Sequence, residues 1–369
     1  MTNPAVSDAV RDFHSDIPPA QLEVVISALE RCGVIDGHND LAWVSRTARD
    51  YSVEGLDAGV TAVDTDIPRL RAGGVSAQFW SVFAPVDELG ADAVRYTLEQ
   101  IDFVYRLVER HPTHFALARS ADDVRKSVAS GRIASLLGAE GGHSISESAA
   151  VLRMFARLGV RYMTLTHTST TTWADSGTDD PEHDGLSATG EDFVREMNRL
   201  GMLVDLSHVS AATAHGALDI TSAPVIFSHS SCSTVATHPR NVSDDVLSRL
   251  AANGGVQMIT FVPMFLSERY ADWAASGQVG APPAVTVADA ADHVEHARAV
   301  AGLHHIGLGG DYDGTPDFPV GLEDVASYPR LLAELAGRGW NADELSLLTG
   351  RNILRVLEDT DAAFASAAR

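Results

Sequence analysis

The sequence predicts an α/β fold, a (β/α)8 TIM-like barrel. Three observations predict it. Eight short apolar runs, rich in β-branched residues, alternate with longer amphipathic stretches, the pattern of repeated βα units around a parallel sheet. Six of those eight runs carry their polar residues at one place, the C-terminal end, and a barrel brings those ends together on one face. The chain has 369 residues, 45% of them hydrophobic, enough for a barrel core of about 250 residues plus insertions.

Taken in order, residues 1–33 read as an N-terminal helical extension with a helix at 18–31. Strand one, 34–40, ends in His38-Asn39-Asp40. Strand two is 75–83, followed by a helix at 91–111 and a polar surface helix at 121–130. Strand three, 132–141, ends in Glu140-Gly141 and runs on into Gly142-His143; a helix at 144–158 follows. Strand four, 160–167, ends in His167. The stretch 168–190 is the most polar of the chain and reads as a long loop over a site. A helix at 190–200 leads to strand five, 203–208, which ends in His208. A helix at 211–220 leads to strand six, 224–230, which carries His229, with Arg240 shortly after. Helix 243–252, strand seven at 255–262 and helix 286–302 come next. Strand eight, 305–311, ends in Asp311 directly after the apolar run Ile306-Gly307-Leu308. The barrel core is thus 34–314, and 315–369 is a helical tail. No repeat or linker divides the chain, so one domain over 1–369 is expected. An open doubly wound sheet is disfavoured, because no strand runs into a Gly-x-Gly-x-x-Gly turn or a Walker-type loop.

Composition narrows the function. With 27 basic against 50 acidic residues the net charge is −23, which repels phosphate backbones and anionic membranes. Neither nucleic acid nor membrane is an expected partner. Two cysteines, Cys32 and Cys232, cannot build a disulfide framework or a cysteine-rich zinc module. Lys126 is the single lysine; the other 26 basic residues are arginine, so Schiff-base chemistry is improbable. The first twenty residues lack the basic start and apolar core of a signal peptide, and no apolar run reaches membrane-spanning length. A cytoplasmic location is the expectation.

The strand ends carry the chemistry. Four imidazoles (His38, His167, His208, His229) and three carboxylates (Asp40, Glu140, Asp311) at the mouth of an apolar barrel have the composition of a metal site. His38 and Asp40, two apart on a strand, would point the same way and reach one metal. Glu140 has two oxygens and could bridge two metals, with His208 and His229 completing the second. No candidate strand holds a lysine that could be carboxylated into a bridge. Two metals roughly 3.5–4 Å apart can share and activate one water and polarise a scissile carbonyl. Asp311 could take a proton from that water and pass it to the leaving amine. Its competitor is Asp313, two residues on. His167 could stabilise the oxyanion, and Arg240 could clamp a substrate carboxylate. His143 reads as structural, and the remaining histidines as surface or packing residues.

These motifs, in this order, resemble the membrane dipeptidase (renal dipeptidase) family, peptidase family M19 of the amidohydrolase superfamily. The matching stretches are Val34-Ile35-Asp36-Gly37-His38-Asn39-Asp40, Gly138-Ala139-Glu140-Gly141-Gly142-His143, Tyr162-Met163-Thr164-Leu165-Thr166-His167, Val204-Asp205-Leu206-Ser207-His208, Phe227-Ser228-His229-Ser230, Arg240-Asn241-Val242 and Gly309-Gly310-Asp311-Tyr312-Asp313-Gly314. The resemblance implies two Zn²⁺ per chain, with Mn²⁺ or Co²⁺ as possible substitutes. It implies His38, Asp40, Glu140, His208 and His229 as ligands, Glu140 as the bridge and Asp311 as the proton shuttle. His167 and Arg240 fall at the substrate. It further implies a dipeptide substrate, tolerance of a D residue at its second position, and a homodimer. The secreted, lipid-anchored setting of the animal members is not carried over, given this N-terminus and cysteine count. Rival readings are another metal-dependent amidohydrolase on the same barrel (a lactonase, deaminase or phosphoester hydrolase) or a non-catalytic metal-binding barrel.

Overall fold

The computed structural model describes residues 4–367. Two helices, Pro4–Phe13 and Pro19–Arg31, precede the first strand. The strands are β1 (Val34–Asn39), β2 (Val75–Phe83), β3 (Phe115–Leu117), β4 (Ile133–Glu140), β5 (Val160–Thr164), β6 (Leu203–Asp205), β7 (Ile226–Phe227), β8 (Val256–Ile259) and β9 (Ile306–Leu308). Every pairing between them is parallel. The order runs β2-β1-β9-β8-β7-β6-β5-β4, and β2 pairs back onto β4 from Ala77↔Ala134 to Phe83↔Glu140. That last ladder closes an eight-stranded barrel with helices between its strands, as the sequence predicts.

β3 is an addition. It pairs with the beginning of β4, Phe115↔Ile133 to Leu117↔Ser135, while β5 pairs with β4 from Leu137 onward. Three residues are too few for a periodic signal, so nothing in the sequence marks it.

Every residue of β1, β4 and β5 is buried, as expected for parallel strands covered on both faces. Ile35, Phe79, Leu136, Tyr162, Leu203, Ile226 and Met258 form one interior cluster with Ile353, Val356 and Leu357 of the C-terminal helix Asn352–Ala367. That helix therefore stoppers the foot of the barrel. Each large aliphatic or aromatic side chain buried this way contributes about 1.5–3 kcal/mol.

The βα and αβ turns follow from local chemistry. Ser120, Ser148, Ser187 and Ser210 each accept a backbone N–H three residues on, starting the helices at Ala121, Ala149, Ala188 and Ala211. Such caps stabilise by about 1 kcal/mol each. Gly159, Gly201 and Gly254 end helices in the left-handed region, at φ of 100°, 67° and 85°, just before β5, β6 and β8.

Several predicted elements end differently. β5 to β9 each stop three residues short of the predicted strand ends at 167, 208, 230, 262 and 311. Toward the mouth, buried side chains replace ladder bonds. Asp205 Oδ1 accepts the N–H groups of Ser207 and Ser228, Ser207 Oγ accepts that of His229, and Asp36 Oδ1 accepts that of Gly310. The helix predicted at 144–158 begins only at Ala149, after a 3₁₀ turn over Gly142–Ile145. β1 stops at Asn39, and Asp40 instead precedes the helix Leu41–Arg49, so strand alternation is not what aims Asp40. The tail holds helices Tyr328–Gly337, Ala342–Ser346 and Asn352–Ala367. Residues 1–3 of the predicted extension and 368–369 of the predicted tail lie outside the described residues. Cys32 and Cys232 are both free. Among the described residues no helix is long and apolar enough to cross a membrane.

Candidate metal centre

Glu140 is the last residue of β4, and its two oxygens face different partners. Oε2 lies 3.4 Å from His38 Nε2 and accepts the Ser81 hydroxyl at 3.0 Å. Oε1 lies 3.1 Å from His208 Nε2, 3.5 Å from His229 Nε2 and 3.6 Å from His167 Nε2. His38 Nε2 also lies 3.3 Å from Asp40 Oδ2 and 4.0 Å from Asp311 Oδ1. Ligand atoms therefore converge in three overlapping groups: His38, Glu140 and His229; Glu140, His167 and His208; His38, Asp40 and Asp311. The five predicted ligands, together with His167 and Asp311, are brought to one place. His167 lies nearer the cluster than a purely substrate-facing role requires, yet its side chain is 19% exposed against 7% for His208.

Two relays orient the imidazoles. Ser228 Oγ donates to Asp205 Oδ2, so His229 donates its Nδ1–H to Ser228 Oγ at 2.8 Å. Tyr162 OH donates to Gly37 O, so His38 donates its Nδ1–H to Tyr162 OH at 2.8 Å. Both rings then present an Nε2 lone pair to the centre, the tautomer a metal ligand needs. Gly138 makes room for the second relay: a Cβ there would fall 2.0 Å from the Tyr162 ring.

The electrostatics fit a cation. Burial holds His208 and His229 well below the usual imidazole range, which keeps them neutral. Burial works against the charged forms of both Glu140 and His38, yet each favours the charge of the other. Glu140 is held well below the usual carboxylate range and His38 well above the usual imidazole range, so the site draws a positive charge that a metal would supply once His38 offers its lone pair. Burial pushes Asp311 up to about 7, with Asp40 and Glu140 adding to the rise. Buried His38 Nε2 has no hydrogen-bond partner although three carboxylates surround it. An orphaned lone pair amid excess negative charge matches the donor set of a divalent metal. His208 and Asp311 sit at φ of 71° and 65°, costly for residues with a side chain and typical of functional positions.

Above the cluster opens a pocket of about 400 Å³, walled by Trp43, Phe83, Val262, Met264 and Phe265, with Arg240 at its side. Arg240 is 6% exposed, and among the described residues no carboxylate ion-pairs with it. It donates to Ser230 Oγ at 3.3 Å and His229 O at 3.1 Å and stacks over Phe265. His143 hydrogen-bonds Ala84 O, a structural contact as predicted. Asp313 is tied to the Asp64 loop through backbone hydrogen bonds and stands outside the three ligand groups.

The sequence reading missed Tyr162, Asp205, Ser228 and Ser81. Two of them carried a legible signal: a carboxylate and a phenol inside otherwise apolar strands need partners.

The profile described as membrane dipeptidase (peptidase family M19) matches residues 23–368. The chain belongs to the membrane dipeptidase family. It is 43% identical over 345 residues to dipeptidase aclJ of Aspergillus oryzae, covering 90% of this chain and 79% of that protein. It is 42% identical over 352 residues to dipeptidase verJ of Clonostachys rogersoniana, covering 92% and 87%. Two solved structures share the fold at lower identity. A metallopeptidase from Rhodobacter sphaeroides, liganded with a phosphinate mimic of the dipeptide L-Ala-D-Ala, superposes with a TM-score of 0.79 at 23% identity over 89% of this chain and 99% of that one. The probable dipeptidase PvdM from Pseudomonas aeruginosa gives 0.82 at 19% identity over 94% and 100%. As a member of this family the chain is a metal-dependent dipeptidase.

Proposed function

We propose that this dipeptidase is a binuclear zinc enzyme whose substrates include dipeptides with a D residue at the second position. The observation that carries the reading is the two-sided placement of Glu140, with Oε2 toward His38 and Oε1 toward His208 and His229. His38, Asp40, Glu140, His208 and His229 would hold the metals, with Glu140 shared. Zinc bound there would polarise the scissile carbonyl and lower the pKa of a water.

The chain's own residues supply the rest. Asp311, 4.0 Å from His38 Nε2 at the pocket edge, takes a proton from the attacking water and returns it to the leaving amine. With Thr168 Oγ1 donating to its Nδ1, His167 would carry its proton on Nε2, 3.6 Å from Glu140 Oε1, where it can stabilise the oxyanion. Arg240, a buried guanidinium without an acid partner, recognises the C-terminal carboxylate and limits the substrate to short peptides. The Rhodobacter protein's L-Ala-D-Ala mimic supports the same stereochemical tolerance here.

The test is a kinetic screen of zinc-loaded protein against L-L, L-D and D-L dipeptides, with N-acetyl and C-amide controls. Turnover of L-L and L-D dipeptides, lost on amidating the C-terminus, is expected. Rates indifferent to the amide would sink the Arg240 role. A protein fully active with one metal bound would sink the binuclear reading.

A further inference from the structure

The foot of the barrel carries a second cavity, of about 150 Å³, at the opposite strand ends from the metal centre. It lies between the start of β1, the helix Ala121–Ala129 and the first turn of the C-terminal helix. Its floor is apolar: Ile35, Val124, Val128 and Leu354. Its rim is not. Arg31, Arg71, Arg125, Arg132 and Arg351 line it, and no Asp or Glu does. Five arginines thus ring one small cavity in a chain whose net charge is −23.

The neighbouring acids do not balance them. Arg31 and Arg351 share Asp343, and Arg125 pairs with Glu358. Arg71 and Arg132 have no carboxylate within ion-pair distance among the described residues. They donate instead to Gly131 O and Ser130 Oγ, each at 2.8 Å. Burial lowers the Arg71 pKa, and no acid offsets it. Three guanidinium charges are thus left over beside a hydrophobic floor. Like charges packed this way repel, and a guanidinium fork is shaped for carboxylate or phosphate oxygens. A cavity of this size holds an apolar body of about six carbons.

We infer that the barrel foot is a binding site for a small amphiphilic anion, a carboxylate or phosphate ester with a short hydrocarbon tail. Its head would meet Arg71 and Arg132, and its tail would lie on Val128 and Leu354. The site is separate from the metal centre and does not depend on the zinc or D-residue readings.

The experiment is isothermal titration calorimetry on the metal-loaded full chain at low salt, with hexanoate, hexyl phosphate, inorganic phosphate and hexylammonium as probes. One hexanoate or hexyl phosphate per chain is expected, with affinity falling as salt rises. Inorganic phosphate should bind at least about tenfold more weakly, and hexylammonium should give no heat. The double variant Arg71→Ala/Arg132→Ala should weaken the amphiphile at least about tenfold while dipeptide turnover and Tm stay at parental values. Val128→Glu, which keeps both arginines and adds an acid, should abolish binding as well. Unchanged affinity in the double variant would place the anion elsewhere, such as at Arg240, and overturn the inference. So would affinities weaker than about 1 mM for both amphiphiles. Equal affinity for phosphate and hexyl phosphate would overturn the apolar part. The better of the two head groups identifies the ligand class.

Discussion

The two sides of the barrel wall are built differently. On one side β1, β2 and β4 have 6, 9 and 8 residues, and β2 and β4 share an unbroken ladder to Glu140. On the other, β6, β7, β8 and β9 have only 3, 2, 4 and 3. Each side supplies part of the centre: His38, Asp40 and Glu140 from the first, His208, His229 and Asp311 from the second. On the long side backbone pairing carries Glu140 at the end of the β2–β4 ladder, while the His38 N–H turns to Asp36 Oδ1 and Asp40 lies just beyond β1. The short side holds them by buried side chains, chiefly Asp205, Ser207, Ser228 and Asp36. His293 adds to this clasp from the helix Val287–Ala301, accepting the Cys232 N–H on Nδ1. Side-chain clasps permit the left-handed backbone at His208 and Asp311, which a regular ladder would forbid. They also make that side the more vulnerable one to single substitutions.

Four changes test this contrast. Asp311→Asn on the short side should lower kcat by roughly 10²–10⁴-fold with metal content intact, measured by steady-state kinetics and metal analysis. Parental activity would remove Asp311 from proton transfer. Asp205→Asn should cost about 10–100-fold in metal affinity, because Ser228 and two backbone N–H groups lose their anchor. A metal titration that matched the parent would show the clasp to be unnecessary.

The third concerns acid. Burial brings the His293 pKa down to about 4 from 6.5. The unfolded chain therefore takes up the proton first, and stability present above pH 6.5 is lost as pH falls toward 4. The loss by pH 5 is on the order of 2 kcal/mol. His293→Asn keeps an acceptor for Cys232 and should flatten the fall of Tm between pH 6.5 and pH 5. Parallel Tm curves for parent and variant would refute the assignment. The smallest effect is expected on the long side. Tyr162→Phe removes one relay hydrogen bond from His38 but leaves the β1 ladder in place, so metal affinity should drop by about tenfold. A larger loss than in Asp205→Asn would reverse the contrast between the two sides.

Much of this was legible before any coordinates. Polar residues at the ends of apolar runs marked the mouth, and the absence of strand lysines pointed to Glu140 as the shared carboxylate. The relays were less legible, because Tyr162 and Ser228 act through contacts between strands far apart in the chain. Asp40 was assigned to the cluster for a reason that does not hold. Its side chain arrives there from the turn into a helix, not from strand alternation. The arginines of the foot cavity are scattered from Arg31 to Arg351 and have no common motif.

Alternation of apolar runs and amphipathic segments determined the barrel, since each run can bury both faces only inside a helix-covered parallel sheet. The placement of imidazoles and carboxylates along those runs determined which end would bind metal. Only the tertiary structure decided where each ladder stops, which imidazole nitrogen faces the centre, and which charges collect at the foot. Those outcomes depend on hydrogen bonds and close approaches between residues distant in the chain, and local patterning carries no information about them.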